Sequence, residues 1–192
     1  MNWARTLFDA RQRFVFSPIW QLPFGNGRRW LNRTGVVNGI LGGWEVTSVW
    51  EIQSGFPFTV LSTTDYSNTN SQSPRPDRTC SGVGSKTISS WFNASCFNTN
   101  ALSAALTAGT PRFGNSGRDI LDAPGLNNVD LALLKDFAFG ERFKLEFRAE
   151  AFNIANQAHF GYPVNAVGNP AIGQLTGASD GRDIQFGLKL SF

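Results

Sequence analysis

Two cysteines and one histidine are the residues of this chain with the greatest potential for chemistry. Cys80 and Cys96 are its only cysteines, and His159 is its only histidine. In an exported protein, two cysteines at this spacing predict a disulfide that closes a loop of about 15 residues, worth around 3 kcal/mol in the chain-entropy model. Two free thiols are the alternative. Because a metal site needs more ligands than two thiols and one imidazole, we expect no metal and no cofactor.

Patterns typical of catalysis are weak throughout the chain. His159, within Asn156-Gln-Ala-His-Phe160, has no Ser or Cys nucleophile elbow nearby, so we interpret it as an ordinary loop histidine. Gly82-Val-Gly-Ser-Lys-Thr87 departs from the phosphate-loop pattern, because Ser85 stands where that pattern requires Gly. Without a nucleophile, an acid–base pair or a metal cluster, we expect that the chain is not an enzyme.

Alternation of apolar and polar side chains is clearest in the final stretch, from Asp183 to Phe192. Because successive side chains of a strand point to opposite faces, its apolar residues share one face. They are Ile184, Phe186, Leu188, Leu190 and Phe192. An apolar terminal strand that ends on Phe resembles the assembly signal of bacterial outer-membrane β-barrel proteins, so we take these residues as a candidate assembly signal. A strand of a soluble sandwich can show the same alternation.

Earlier stretches alternate in the same way. They predict strands over residues 13–24, 43–62, 128–139 and 143–152. Pro18 and Pro23 argue against a regular central strand in the first of these, unless a bulge or an edge position accommodates Pro18. The charged residues of the last alternate in sign along one face, which predicts a scaffold of mutual ion pairs.

Lys135 is an exception, because it falls on the apolar face of its predicted strand. If that face meets lipid, we expect the stem of Lys135 to lie along the surface while its ammonium reaches the headgroups.

The connections between the predicted strands alternate in length. Counting back from the last strand, they cover residues 153–182, 140–142, 63–127 and 25–43. Antiparallel strands put alternate connections at opposite ends of a sheet, so both long connections fall on one side. Outer-membrane barrels have short periplasmic turns and long extracellular loops. We therefore predict an all-β fold, an antiparallel meander of about five strands that forms a single partial barrel segment over residues 1–192.

Composition agrees with a membrane barrel and excludes other classes. Only 16% of the residues are charged and 13% are aromatic, whereas about a quarter are charged in ordinary soluble domains. No run approaches the roughly 18 apolar residues of a spanning helix. The net charge of +3 is too small, and its Arg and Lys residues are too scattered, to indicate a nucleic-acid partner.

Two features predict that the chain is the C-terminal part of a larger transmembrane barrel. Its first residues contain no apolar core of signal-peptide length, although an outer-membrane protein requires an export signal. About five strands also cannot close a barrel, because bacterial single-chain barrels have an even number from about eight upward. An open sheet leaves unpaired edges, which are unfavourable in lipid.

The predicted strands and their flanks carry distinctive motifs. The earlier ones are Arg13-Phe-Val-Phe16, Leu22-Pro-Phe-Gly25, Gly42-Gly-Trp-Glu-Val46 and Gln53-Ser-Gly-Phe-Pro-Phe-Thr59. The later ones are Phe113-Gly-Asn-Ser-Gly-Arg118, Asn128-Val-Asp-Leu-Ala-Leu133, Lys135-Asp-Phe137, Gly140-Glu-Arg-Phe-Lys-Leu-Glu-Phe-Arg-Ala-Glu-Ala-Phe-Asn153 and Gln185-Phe-Gly-Leu-Lys-Leu190. Together they resemble the barrel end of TonB-dependent receptors. The most similar type is the Oar-like group, whose members carry a carboxypeptidase regulatory-like domain at the N-terminus.

The resemblance implies a barrel of about 22 strands that is closed by a separate plug domain. The implied function is the C-terminal part of the barrel of a bacterial outer-membrane transporter for a bulky nutrient, which does not transport alone. The implied partners are outer-membrane lipid, the rest of the parent barrel and its plug, the outer-membrane assembly machinery, and TonB through the missing N-terminal part. A secreted soluble β-sheet binding module, with residues 63–127 as its recognition loop, is the alternative function.

Overall fold

The computed structural model describes residues 3–32, 35–139 and 142–192. In chain order the elements are β1 (Arg13–Phe16), β2 (Ile19–Gln21), α1 (Val36–Leu41), β3 (Trp44–Gln53), β4 (Pro57–Phe58), β5 (Leu61–Ser62), β6 (Asp77–Arg78), a 3-10 helix (Ala94–Cys96), β7 (Phe97–Asn98), α2 (Asn100–Thr107), β8 (Leu121–Asp122), β9 (Leu126–Phe139), β10 (Phe143–Phe152), β11 (Ala166–Val167) and β12 (Asp183–Ser191). Among the described residues, no helix has the length and apolar character to cross a membrane. The all-β prediction is confirmed.

The chain divides into two compact units, which we call the sheet unit and the loop unit. The sheet unit consists of Arg13–Ile52, Leu126–Ala158 and Asp180–Phe192. The loop unit consists of the residues before Arg13, Gln53–Gly125 and His159–Ser179. The single barrel segment over residues 1–192 stays a prediction.

One large sheet forms the sheet unit. Its strands lie in the order β1, β3, β9, β10, β12, and β2 also pairs with β3. Both β9 and β12 pair antiparallel with β10. The long strands therefore follow chain order across the sheet, as a meander requires. Their Val, Leu, Phe and Trp residues suit a pleated surface, on which neighbouring side chains pack against one another.

The register of the sheet confirms the predicted faces. Phe147 of β10 lies opposite Leu188 of β12, and on its other side it lies opposite Lys135 of β9. Residues directly opposite each other project from the same face. The alternating apolar residues of β9, β10 and β12, such as Leu133, Phe147 and Leu188, therefore share one face, which we call the apolar face. Their charged neighbours share the other, which we call the polar face.

The predicted strand 13–24 is interrupted and ends early. β1 stops at Phe16, and β2 resumes at Ile19 and ends at Gln21. Pro18 lies in the gap, where its missing N–H cannot continue the ladder. Its carbonyl oxygen still accepts a hydrogen bond from the Ser48 N–H at 3.1 Å. The interruption is the local irregularity that a proline within a strand requires.

The predicted strand 43–62 is wrong beyond Gln53, where β3 ends. The chain leaves the sheet at Gly55, whose backbone packs so closely against the Ala123 carbonyl that a Cβ would overlap it. Beyond Gly55 apolar and polar side chains still alternate, but the apolar ones pack into a protein core instead of joining the large sheet. Phe58 and Val60 are buried in the core of the loop unit. A strand with one buried face has the same period whether protein or lipid covers that face.

The long loops predicted at 63–127 and 153–182 contain folded structure instead of irregular chain alone. β5 pairs with β11, β4 pairs with β8, and β6 pairs with β7. The buried residues of the loop-unit core are Phe58, Val60, Phe92, Cys96, Phe97, Leu121 and Ala123. Strands of two residues are too short to show alternation, which explains why the sequence pattern did not reveal them.

The remaining predicted strands differ from the structure only at their ends. β9 begins at Leu126 instead of residue 128, β10 covers the predicted 143–152, and β12 ends at Ser191 so that Phe192 follows it. The predicted turn between β9 and β10 includes Gly140 and Glu141, which lie outside the described residues.

Candidate functional site

The apolar face of the sheet is widely exposed. Leu188 of β12 has 72% of its surface exposed, and Ile184, Phe186 and Leu190 on the same face are exposed as well. Exposed apolar patches on this scale mark surfaces that contact a partner or a membrane. These positions are the strand part of the candidate assembly signal, and the structure brings them together on one side of β12.

Aromatic side chains continue the apolar face across the sheet. The ring of Trp44 meets the ring of Phe147 edge-on, with centroids 6.1 Å apart. Phe147 in turn stacks on Phe186 at 6.4 Å. Near the opposite edge of the sheet, the ring of Phe16 meets the ring of Trp50 on the same face, with centroids 6.3 Å apart. Aromatic side chains therefore occur on this face from β1 to β12.

Lys135 interrupts the apolar face, but its ammonium does not extend to a headgroup level as expected. Only 3% of Lys135 is exposed. Its Nζ donates a hydrogen bond to the Gly42 carbonyl oxygen. It also lies 5.4 Å from the ring centre of Trp44 and 4.8 Å from that of Phe137. A carbonyl and two aromatic rings thus replace the water that the charge would otherwise require.

Charged side chains of the polar face pair with one another. Lys144 Nζ lies 2.8 Å from an oxygen of Asp136. Arg148 bridges the carboxylates of Glu146 and Glu150 at 3.1 and 3.4 Å. These contacts confirm the predicted scaffold of ion pairs. Mutual neutralisation makes the face hydrophilic without leaving a strong site for one charged ligand.

A disulfide joins Cys80 and Cys96 in the loop unit. Cys96 is buried in the core, and its carbonyl oxygen accepts a hydrogen bond from the Thr79 N–H at 2.8 Å. Arg78 holds the other end, because its Nε donates to the Cys80 carbonyl oxygen at 2.7 Å. The bridge therefore ties the exposed Cys80 to the core of the unit.

Replacement of both cysteines by alanine is expected to destabilise the loop unit by about 3 kcal/mol, because the unfolded loop regains conformational freedom. The loop unit of the variant should be cleaved faster in limited proteolysis. Thiol alkylation of denatured, unreduced wild-type protein is the control and should add no label at Cys80 or Cys96. Two labels would show that the native protein keeps free thiols.

A cavity of about 850 Å³ opens in the loop unit. Its apolar lining includes Phe8, Phe58, Phe113 and Tyr162, and its polar lining includes Thr59, Arg118, Asp119 and Asn165. Cavities that hold small organic ligands have this range of volume and this mixture of aromatic and polar groups. The sequence did not predict this site, because its residues come from five separate segments.

Asp119 is the most deeply buried charged residue at this cavity. Its carboxylate accepts a hydrogen bond from the Thr59 hydroxyl at 2.8 Å, and its own N–H donates to that hydroxyl at 2.9 Å. Arg118 Nε lies 3.4 Å from the second carboxylate oxygen. The charge of Asp119 is therefore used to join β4 to the segment before β8, which shapes one wall of the cavity.

A second buried carboxylate, Asp77, holds the segment before α2 to the segment after it. Arg112 donates to both oxygens of Asp77, at 3.0 and 2.6 Å, and the Asn115 N–H donates at 3.1 Å. These hydrogen bonds, that of Arg112 above all, lower the pKa of Asp77 below its ordinary value of 3.8. The same pairing raises the pKa of Arg112.

The Asp77 pair predicts a dependence of stability on pH. Because the folded pKa lies below that of the unfolded chain, the stabilisation is present above the unfolded value, near 3.8, and is lost as the pH falls through the folded value. Asp77→Asn should lower the thermal midpoint of the loop unit at pH 7, and the difference from wild type should shrink in acid. Near-ultraviolet circular dichroism measures both midpoints. Arg112→Gln is the matched control and should show the same trend, whereas a difference that persists in acid contradicts the assignment.

The other sequence motifs lie in the loop unit without forming a catalytic arrangement. Thr87 and Ser90 exchange backbone hydrogen bonds at 3.2 Å, so the chain after Lys86 turns where a phosphate loop would begin a helix. His159 accepts a backbone hydrogen bond from Ser179 at 2.8 Å through its carbonyl oxygen. Among the described residues, no three His, Cys, Asp or Glu side chains group as metal ligands would. That the chain is not an enzyme stays a prediction.

An antiparallel sheet with one apolar face and one ion-paired polar face is typical of a transmembrane β-barrel protein. The chain belongs to the outer membrane beta barrel domain family, whose model matches residues 1–185. Searches among curated proteins and among solved structures found no match. The protein is therefore located in the bacterial outer membrane, where its apolar face contacts lipid.

Proposed function

We propose that this chain is the C-terminal part of the barrel of a TonB-dependent outer-membrane receptor of the Oar-like type, which takes up a bulky nutrient. The motifs from Arg13-Phe-Val-Phe16 to Gln185-Phe-Gly-Leu-Lys-Leu190 support the receptor type. Most of these motifs lie in or beside the strands of the sheet unit, which would form the wall of a barrel.

The main observation that supports this proposal is that the large sheet has two open edges. Within the described residues, β1 and β12 are the outermost strands of the large sheet. In lipid, each unpaired N–H or C=O of an edge costs several kcal/mol, so spanning sheets are closed. The partner strands must therefore be supplied from outside this chain. The rest of the parent barrel is the partner that we propose.

The connections support a receptor with a large outer surface. The strand ends at Arg13, Gln53, Leu126, Phe152 and Asp183 belong to one end of the sheet, and every segment of the loop unit joins the chain there. The opposite end carries the shorter connections, residues 22–43 and the predicted turn between β9 and β10. Because short turns are periplasmic in outer-membrane barrels, the loop unit is the extracellular part.

In the proposed receptor, the sheet unit and the loop unit have different roles. The sheet unit supplies part of the barrel wall, and the loop unit supplies an outer surface with a cavity for capture of a ligand. Energy comes from the inner membrane through TonB, which acts on a plug domain outside this chain. The outer-membrane assembly machinery inserts the complete barrel. No catalytic step and no cofactor form part of the proposed function.

We expect the complete parent protein to bind the purified periplasmic domain of TonB, and the isolated chain of residues 1–192 not to bind it. In liposomes, the isolated chain should give no solute-selective flux, because it cannot close a barrel. Pull-down and liposome swelling with sugars of increasing size measure these properties. Selective flux through the isolated chain, or absence of TonB binding by the parent, would overturn the proposal.

The alternative function, a secreted soluble binding module with residues 63–127 as its recognition loop, disagrees with the outer-membrane family to which the chain belongs. The coding sequence upstream of Met1 distinguishes the two functions. A signal sequence followed by a plug supports the receptor, whereas a stop codon directly before a compact export signal supports the module.

A further inference from the structure

The connection between β2 and β3 contains α1, whose apolar side chains are left uncovered by the part of the chain that the structure describes. No residue of its helix α1 is buried. Val36 is 80% exposed and Ile40 is 58% exposed, and Val37 and Leu41 on the same side of the helix are exposed too. A helix of this length is marginal in water, because few hydrogen bonds offset the entropy of its nucleation. Its apolar side therefore requires a partner.

The orientation of α1 is set by polar contacts on its other side. The Asn38 side chain accepts a hydrogen bond from the Asn26 N–H at 2.6 Å. The backbones of Gly25 and Gly42 also pack against each other beside Asn38, where a Cβ on either glycine would clash. These contacts hold the helix so that Val36 and Ile40 point away from the connection. Their exposure is thus a property of the packed structure.

Trp44 connects α1 with the apolar face of the sheet. Trp44 Nε1 donates a hydrogen bond to the Ile40 carbonyl oxygen at 2.9 Å. The ring of the same Trp44 contacts Phe147 on the apolar face at 6.1 Å. Trp44 therefore joins the helix to a surface that contacts membrane lipid. Trp residues with this role are enriched at the membrane–water interface.

Charge also matches a phospholipid surface. Residues 22–43 contain arginines and no Asp or Glu. Arg28 and Arg29 are exposed, and the Arg29 guanidinium lies 5.6 Å from the ring centre of Trp30, which is also exposed. A cationic rim beside exposed aromatic and aliphatic side chains is the composition of an interfacial membrane anchor.

We propose that α1, together with Arg28 and Arg29, forms an anchor that binds the glycerophospholipids of the periplasmic leaflet. Val36, Val37, Ile40 and Leu41 enter the boundary between headgroups and acyl chains, and Arg28 and Arg29 contact lipid phosphates. The anchor fixes the depth of this end of the barrel in the membrane. It depends on the outer-membrane location of the protein and on the direction of the sheet, but not on TonB or on the transported solute.

The test places a fluorescent bimane on Ile40→Cys in the complete protein, purified from outer membranes and reconstituted in phosphatidylethanolamine–phosphatidylglycerol vesicles. Acyl chains brominated near the headgroup should quench its emission about twofold or more, because interfacial helices insert about 5–10 Å. Ser103→Cys, on the exposed side of α2 in the loop unit, is the matched control and should not be quenched. Cys80 and Cys96 are bridged and do not take up the label.

A second comparison tests the arginines. Arg28→Gln with Arg29→Gln should weaken quenching at position 40 when phosphatidylglycerol is present, and should change it little in purely zwitterionic vesicles. A label at position 40 that is shielded from water but not quenched by brominated lipid would mean that protein covers α1. A label fully exposed to water would mean that nothing covers it. Either result overturns the anchor, whether or not the protein binds TonB.

Discussion

Leu188→Arg is expected to destabilise the membrane-inserted barrel by about 2–4 kcal/mol if the residue lies at the bilayer midplane, and by less near an interface. Leu188 projects from the apolar face beside Phe147. The guanidinium of the introduced arginine would have to leave water for acyl chains, where no opposite charge compensates for the lost hydration. Urea unfolding of the complete barrel in phospholipid vesicles, followed by tryptophan fluorescence, measures the change.

Gln185→Arg is the matched control for this prediction. Gln185 lies on the same strand but on the polar face, where its side chain donates to Glu150 at 2.5 Å. An arginine at that position keeps a carboxylate partner and should change the stability little. Both side chains are exposed in the chain itself, so a soluble sheet would tolerate either substitution. Equal effects of the two variants would contradict the assignment of the faces.

Phe192→Ala, or deletion of Phe192, is expected to lower the amount of protein inserted in the outer membrane and to leave precursor in the periplasm. The expectation follows from the assembly signal formed by Ile184, Phe186, Leu188, Leu190 and Phe192. Phe192 is 87% exposed and lies beyond the last residue pair of β12. Its side chain therefore contributes little to packing within the chain, and its effect should arise at recognition by the assembly machinery.

Immunoblots of membrane and periplasmic fractions measure this effect in the complete parent protein. Ser191→Ala is a suitable control, because Ser191 is the neighbouring residue and faces the polar side. Loss of a terminal exposed residue ordinarily changes little. Normal insertion without Phe192 would therefore remove the evidence for an assembly signal, while the membrane location of the sheet would still stand on its family.

The two faces of the sheet could be predicted from alternation because side-chain direction in a strand is a local property. The shared face of Phe147 and Leu188 and the ion pairs around Arg148 both follow from it. The failure after Gln53 has the same origin. Alternation indicates that one face of a segment is covered, but it does not indicate whether lipid or protein covers that face.

Lys135 illustrates the limit for a single residue. Its place on the apolar face was evident from the strand pattern. Its partners were not, because the Gly42 carbonyl oxygen lies 93 positions away in the chain. A long flexible side chain can extend toward water or fold onto nearby aromatic rings. Only the arrangement of Trp44 and Phe137 around the ammonium decides between these outcomes.

By itself, the sequence determined the fold class, the faces of the strands, the end of the sheet that carries the long connections and the pair of cysteines. All of these depend on short-range periodicity, on connection lengths or on residue counts. Only the tertiary structure decided that the long connections fold into a unit with its own core, cavity and buried carboxylates. Thr59 and Asp119 are 60 positions apart, and Arg112 and Asp77 are 35 apart. Contacts at such separations leave no periodic signal, because they form only when the whole chain has folded.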